Sequence, residues 1–229
     1  MADKYLARLE QAASRLETEA GTVPTPGKEW EVGGEEAVDD GSSSGLKVRV
    51  WVQSGAKPVE RYMGVIEVEA GVEEVLKACY DFEVRLQWDD GISKASKVLE
   101  VLSEQVSVTY QLVDGRMGTS SREMINGRIL VRRGGGGGGG GGGEKAIVAH
   151  NHIDYEDKKP VSKDIVRARN HDVGYVLESL GEHRTRVTWI VQTELNGWIG
   201  MLNIKKLTIQ NLAALLKKLR AFLLLLKKK

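Results

Sequence analysis

Residues 105–133 read QVSVTYQLVDGRMGTSSREMINGRILVRR. Two alternating runs, Gln105–Val113 and Arg122–Arg133, flank Asp114-Gly115, a dipeptide suited to a tight reversal. Within the second run Arg122, Met124, Asn126, Arg128, Leu130 and Arg132 share one face, and Ile125, Ile129 and Val131 share the other. The same texture continues outward. Ser96–Leu102 precedes the pair; Glu144–Tyr155, Asp164–Leu180 with a turn near Asp172, and Arg184–Leu195 follow it. Upstream, Lys47–Gln53 sets Val48, Val50 and Val52 against Arg49 and Trp51, and Val59–Val68 keeps Tyr62 and Ile66 in one parity class. Lys159-Pro160 and Gly181-Glu182 supply further turn signals. Sequence-adjacent short strands with tight turns predict an antiparallel meander. The ten glycines 134–143 carry no positional information and cannot bury apolar surface, so they predict a flexible hairpin tip rather than a phosphate cradle.

Three segments read as helix. In VEEVLKACYDFEVRLQWDD, residues 72–90, the stripe Val72, Val75, Leu76 and Cys79 predicts two short helices broken near Tyr80–Phe82. From Trp198 to Lys229, Ile199, Leu202, Leu207, Leu212, Leu215, Leu216, Leu219, Phe222 and Leu223 recur at helical spacing with lysines opposite. That predicts a helix of about 28 residues, roughly 40 Å long, which only a sheet is large enough to underlie. Its closing LLLLKKK is read as a fraying tail, with contact to an anionic membrane as the sharper alternative. Residues 3–20 place Leu6, Leu9, Ala13 and Leu16 on one helical face, and residues 21–45 read as a loop around Trp30.

Composition narrows the function classes. The 229 residues fit one large domain, and 41% hydrophobic residues suffice for a core. A net charge of +1 offers no basic footprint for nucleic acid. Cys79 is the single cysteine, which excludes an internal disulfide framework and suits a reducing compartment. The N-terminus is too charged for a secretory signal, and no run reaches the apolar length of a spanning helix. The expectation is a cytoplasmic, soluble, single-domain monomer.

The element order is that of an α+β helix-grip fold, and the residues carry the likeness further. EVLKACYDFEVRLQWDD, ending in Trp88-Asp89, resembles the helix pair and Trp-Asp hallmark of START (steroidogenic acute regulatory protein-related lipid transfer) domains. VTYQLVDGRMGTSSREMINGRILVRR resembles the family's central strand pair, with its Arg-acid step at Arg122-Glu123. IVRARNHDVGYVLESL and RVTWIVQTELNGWIGMLNIKKL resemble a later strand and the last strand leading into the final helix. The resemblance implies a curved antiparallel sheet of about nine strands gripping the C-terminal helix around a cavity for one lipid. Residues 45–229 form this core, and residues 1–44 add a helix and loop to it. The implied role is to bind a ceramide, phospholipid or sterol-like molecule and move it between membranes, with transient membrane contact and no cofactor or metal. The physics agrees, since enclosing a lipid offsets the cost of its apolar surface in water, about 25 cal/mol per Å².

The same resemblance implies that Arg128 lines the cavity. Gln111 stands where the family commonly carries that arginine's acid, which leaves Arg128 to meet a head group unless Asp114 or Glu123 substitutes. Tyr110-Gln111, Arg116, Ser121 and Arg122 look closer to the ceramide and phospholipid branch than to the sterol branch, although the ceramide readers' amide side chains would fall near Ser121 and His150, which are different residue types. The ligand-binding set is therefore Arg128, Gln111, Arg122, Tyr110, Ser121 and His150. A lipid cannot pass between hydrogen-bonded strands, so the C-terminal helix is expected to gate through Ile204, Leu212 and Leu216. The rival from another class is a helix-grip enzyme, either a cavity hydrolase or cyclase or one using a metal. His150, His152 and Asp154 alternate along one strand and supply an open-site ligand set for the latter. Cys79 on an apolar stripe reads as core, and His171 and His183 as turn residues.

Overall fold

The computed structural model describes residues 2–22, 29–38, 46–115, 119–134, 143–159, 162–198 and 203–227. Arg116, most of the glycine run, Pro160, Ile199, Leu202 and the last two lysines lie outside them. The chain runs α1 (Ala2–Ala20), β1 (Glu31–Ala37), β2 (Lys47–Gln53), β3 (Arg61–Val68), α2 (Val72–Tyr80) and α3 (Phe82–Arg85). It continues β4 (Lys97–Val101), β5 (Val106–Val113), β6 (Arg122–Arg133), β7 (Lys145–His152), β8 (Val166–Arg167) and β9 (Arg169–Asn170). β10 (Val173–Gly181), β11 (Arg184–Val191), β12 (Thr193–Glu194) and α4 (Ile204–Leu226) complete it.

Nine strands form one antiparallel sheet in the order β1-β2-β3-β11-β10-β7-β6-β5-β4, with β8 pairing parallel to β6 and β9 pairing with β12 apart from it. The strand parity read from the sequence holds. Val48, Val50, Val52, Tyr62, Ile66, Val148, Tyr175 and Trp189 meet α2 and α4 on one face. Ile125, Ile129, Ile147 and Ala149 meet Leu9, Ala12, Ala13 and Leu16 of α1 on the other. The sheet is thus buried on both faces, which is why its strands carry apolar residues at both parities.

Residues 31–37, expected as loop, form an edge strand paired to β2. The glycines that made EVGGEEA read as loop are what the helix needs. A Cβ on Gly33 would stand 3.1 Å from Ile209 Cδ1 and 2.7 Å from Val52 Cγ2, and one on Gly34 would stand 3.0 Å from Ile209 Cγ2. α4 rests on that bare backbone.

α4 begins later than expected, at Ile204, so its 23 residues span about 35 Å rather than 40 Å. Asn203 is its N-cap and accepts from the Lys206 amide at 3.0 Å, satisfying one of the first turn's orphan donors. The break between α2 and α3 falls at Asp81, whose carboxylate accepts from the Glu83 amide at 2.8 Å.

Candidate functional site

Between α4 and the sheet lies a cavity of about 680 Å³. Tyr62 of β3, Met124 of β6, Val173 and Tyr175 of β10, and Trp189 and Val191 of β11 supply its apolar wall, with Ile204 and Thr208 of α4 as roof. Buried Tyr175 and Trp189 mark the inner end, where their rings stack 4.8 Å apart. Asn196 and Gly197, exposed in the segment before α4, mark the mouth with Glu60.

The helix is held unevenly over this space. Leu212 and Leu216 sit directly on Gly64, where a Cβ would approach Leu216 Cδ1 to 2.7 Å and Leu212 Cγ to 2.8 Å. Both leucines are buried. Thr208 and Ile204, about one and two turns before Leu212, face the cavity and are only half-buried.

Of the expected ligand-binding residues, Gln111, Arg122 and His150 line the cavity, while Tyr110, Ser121 and Arg128 do not. Tyr110 belongs to the opposite face, among residues packed on α1. The hydroxyl of Ser121 accepts from the Gly115 amide at 3.1 Å. Arg122 donates to the carbonyls of Ser120 at 2.8 Å, Leu195 at 3.2 Å and Trp198 at 3.3 Å, tying together the segments around the mouth. Arg128 is 4% exposed; Nε donates to Ser107 Oγ at 3.0 Å and Nη1 to the Tyr80 carbonyl at 2.7 Å. Its guanidinium also lies over the Tyr80 ring, 3.6 Å from the centroid. Neither Asp114 nor Glu123 replaces the missing acid. Glu123 accepts from Arg167 at 2.8 Å and Lys159 at 3.4 Å instead.

The cavity cation that the sequence reading passed over is Arg85. It stands inside the quoted segment 72–90, four residues before Asp89, and that i, i+4 spacing was the available signal. Its Nη2 lies 2.7 Å from Asp89 Oδ2 and its Nε donates to the same oxygen at 2.8 Å, with both side chains buried. The guanidinium also lies 5.6 Å from the Trp189 ring and 5.8 Å from that of Tyr175.

His150 is cross-strand partner to Arg128 and 9% exposed. Burial pushes its pKa well below 6.5, and the positive charges of Arg128 and Arg85 push the same way, so the imidazole is neutral. The metal set read from alternation does not assemble. β7 ends at His152, so Asp154 lies past the strand and is exposed. His152 turns to the Asn170 carbonyl at 3.0 Å and meets the His171 ring edge-on at 4.9 Å. Among the described residues no three metal-ligating side chains converge. Burial pushes the Cys79 thiol up to about 12, which keeps it protonated and inert as a nucleophile.

A sheet gripping its last helix over a cavity defines the helix-grip class. The chain belongs to the START domain family, whose model matches residues 43–229. It is 24% identical over 194 residues to the steroidogenic acute regulatory protein of Xenopus laevis, covering 79% of this chain and 64% of that protein. Over 144 residues it is 24% identical to the mitochondrial steroidogenic acute regulatory protein of Ovis aries, covering 59% of this chain and 47% of the relative. The chain therefore spans less than two thirds of either relative's length. In fold it resembles human StAR-related lipid transfer protein 5, at TM-score 0.78, 15% identity and coverage of 96% and 99% of the two chains. It also resembles human STARD10, at TM-score 0.75, 19% identity and coverage of 92% and 79%. Among the described residues no helix is long and apolar enough to cross a membrane.

Proposed function

We propose that this START domain is a lipid carrier, enclosing one lipid molecule and moving it between membranes without chemistry. The observation that carries this reading is the cavity of about 680 Å³ under α4, walled by aromatic and aliphatic side chains with few polar groups. A ligand burying roughly 400 Å² of apolar surface there gains on the order of 10 kcal/mol over water, which offsets much of what a lipid loses on leaving a bilayer. The name of human StAR-related lipid transfer protein 5, which shares the fold, supports the same direction.

Gln111, Arg122 and His150 touch the ligand in this reading. Arg128, Tyr110 and Ser121 act from behind the wall, by holding the strands and loops that carry those three. Residues 1–44 belong to the same domain as the core of 45–229, with α1 backing the sheet. The gate is α4, through Ile204 at the mouth and Leu212 and Leu216 at the grip. The carrier works as a cytoplasmic monomer that touches membranes transiently, with no nucleic acid partner, cofactor or metal.

Transfer between donor and acceptor vesicles carrying labelled ceramide, phosphatidylcholine or sterol tests the reading. Protein-dependent transfer of at least one class is expected. Failure to bind or transfer any of them defeats it.

A further inference from the structure

The inner end of the cavity holds more donors and more positive charge than an apolar guest requires. Arg85 spends Nε and Nη2 on Asp89, and its Nη1 has no partner among the described residues. Both ring nitrogens of His150 are likewise without a partner among them, although the side chain is 9% exposed and faces the cavity. Behind His150, Arg128 has no carboxylate within ion-pair distance among the described residues; its partners are a hydroxyl, a carbonyl and an aromatic face. Asp81 is near, but its carboxylate caps α3 and is partly exposed to solvent. Two buried guanidiniums against one buried carboxylate leave this end with one uncompensated positive charge. Such a charge is costly to bury, so an anion arriving there regains what the fold alone leaves unpaired.

We propose that the cavity receives a single-chain acidic amphiphile head first, its carboxylate accepting hydrogen bonds from Arg85 and His150. Arg128 supplies the balancing charge from one residue behind. An alcohol would meet the donors but not the charge. Size points the same way. At roughly 30 Å³ per water-sized group, 680 Å³ holds about 23 such groups. One long acyl chain with its carboxylate fills most of that space, and a glycerolipid with two such chains would have to extend through the mouth. The inference rests on the reading of the cavity as a lipid site and narrows it to one class.

The test is titration of the full chain, followed by tryptophan fluorescence since Trp189 lines the cavity. The ligands are palmitate, hexadecanol, methyl palmitate and dipalmitoyl phosphatidylcholine, at pH 8 where the acid is ionised. Palmitate should bind at least tenfold more tightly than the alcohol or the ester. In Arg128→Met that preference should shrink several-fold while hexadecanol binding stays within about twofold. If Arg128→Met does not fold, Arg128→Gln, which removes the charge and keeps a donor near Ser107 and the Tyr80 carbonyl, carries the same comparison. Equal binding of alcohol and acid, stronger binding of the phospholipid, or an undiminished preference in a folded variant overturns the inference and leaves the carrier reading standing. Binding of none of the four, with no transfer of other lipids, overturns both.

Discussion

Replacing Gly64 by alanine sets a methyl group where α4 already rests. The new carbon would lie 2.7 Å from Leu216 Cδ1, and 2.8 and 3.0 Å from Leu212 Cγ and Cδ2. Carbon atoms pack at about 3.5–4.0 Å, so each contact is short by roughly 0.5–1.3 Å. The tip of Leu216 can rotate away. The branch carbon of Leu212 moves only with χ1, which a helix confines to two wells, so the helix backbone has to move. Overpacking of this kind costs about 1–3 kcal/mol, and the stiffer unfolded chain returns about 0.4–1 kcal/mol. A net loss of about 1–2 kcal/mol is expected, read as a lower urea midpoint at unchanged m-value. The same change made in Leu212→Ala should cost almost nothing, since the vacated space takes the methyl. The double-mutant cycle should then show a coupling of at least about 1 kcal/mol. A neutral Gly64→Ala, or an equal loss in both backgrounds, would refute the claim that α4 is seated on β3 at this glycine.

His150 should make stability depend on acidity. Its folded pKa is depressed below 6.5, so below that pH the unfolded chain binds the extra proton. Stability should fall as pH drops from about 6.5, by up to about 1.4 kcal/mol per unit, and His150→Phe should flatten that slope in urea unfolding across pH 5–7. An unchanged slope in the variant would place the titration elsewhere. A disulfide engineered to join the first two turns of α4 to β3 should block lipid loading when oxidised and restore it on reduction. Equal vesicle transfer in both states would move the gate to the loops near Asp114 or the mouth around Asn196.

Element order was legible because turn signals separate the short strands, and parity was legible where polar residues hold one face, as Arg122, Asn126 and Arg128 do opposite Ile125 and Ile129 on β6. The break between α2 and α3 was legible too, since Asp81 is a strong N-cap for a following turn. β1 was not legible. Its two glycines signal loop locally, and their purpose, room for Ile209, lies more than 170 residues away. The environment of Arg128 was hidden for a similar reason. Without an acid on the neighbouring strand, its charge is met by the ring and carbonyl of Tyr80 on α2, and alternation along β6 gives no sign of a helix residue overhead. Alternation also overran at His150, His152 and Asp154, because the strand ends at His152 and the period of two ends with it.

The cavity itself follows from the size profile of one strand. Along β3 the residues facing α4 are Tyr62, Gly64, Ile66 and Val68. Successive members of that row are about 6.6 Å apart, close to the roughly 6 Å that four helical residues advance. Thr208 therefore comes over Tyr62 where Leu212 comes over Gly64. Tyrosine holds the helix away from the sheet and glycine lets it down, so α4 is wedged open at one end and seated at the other. The open end is where Tyr62, Ile204 and Thr208 line the cavity. The seated end is where Leu212, Leu216, Leu219 and Leu223 are buried. Lifting the first turns exposes Ile204 and Thr208, which already face the cavity, and breaks the contact of Ile209 with β1 and β2. Lifting the seated half exposes four leucines, at about 1.5–3 kcal/mol each. Opening by a swing of the N-terminal turns about the grip at Gly64 is therefore far cheaper than release of the whole helix.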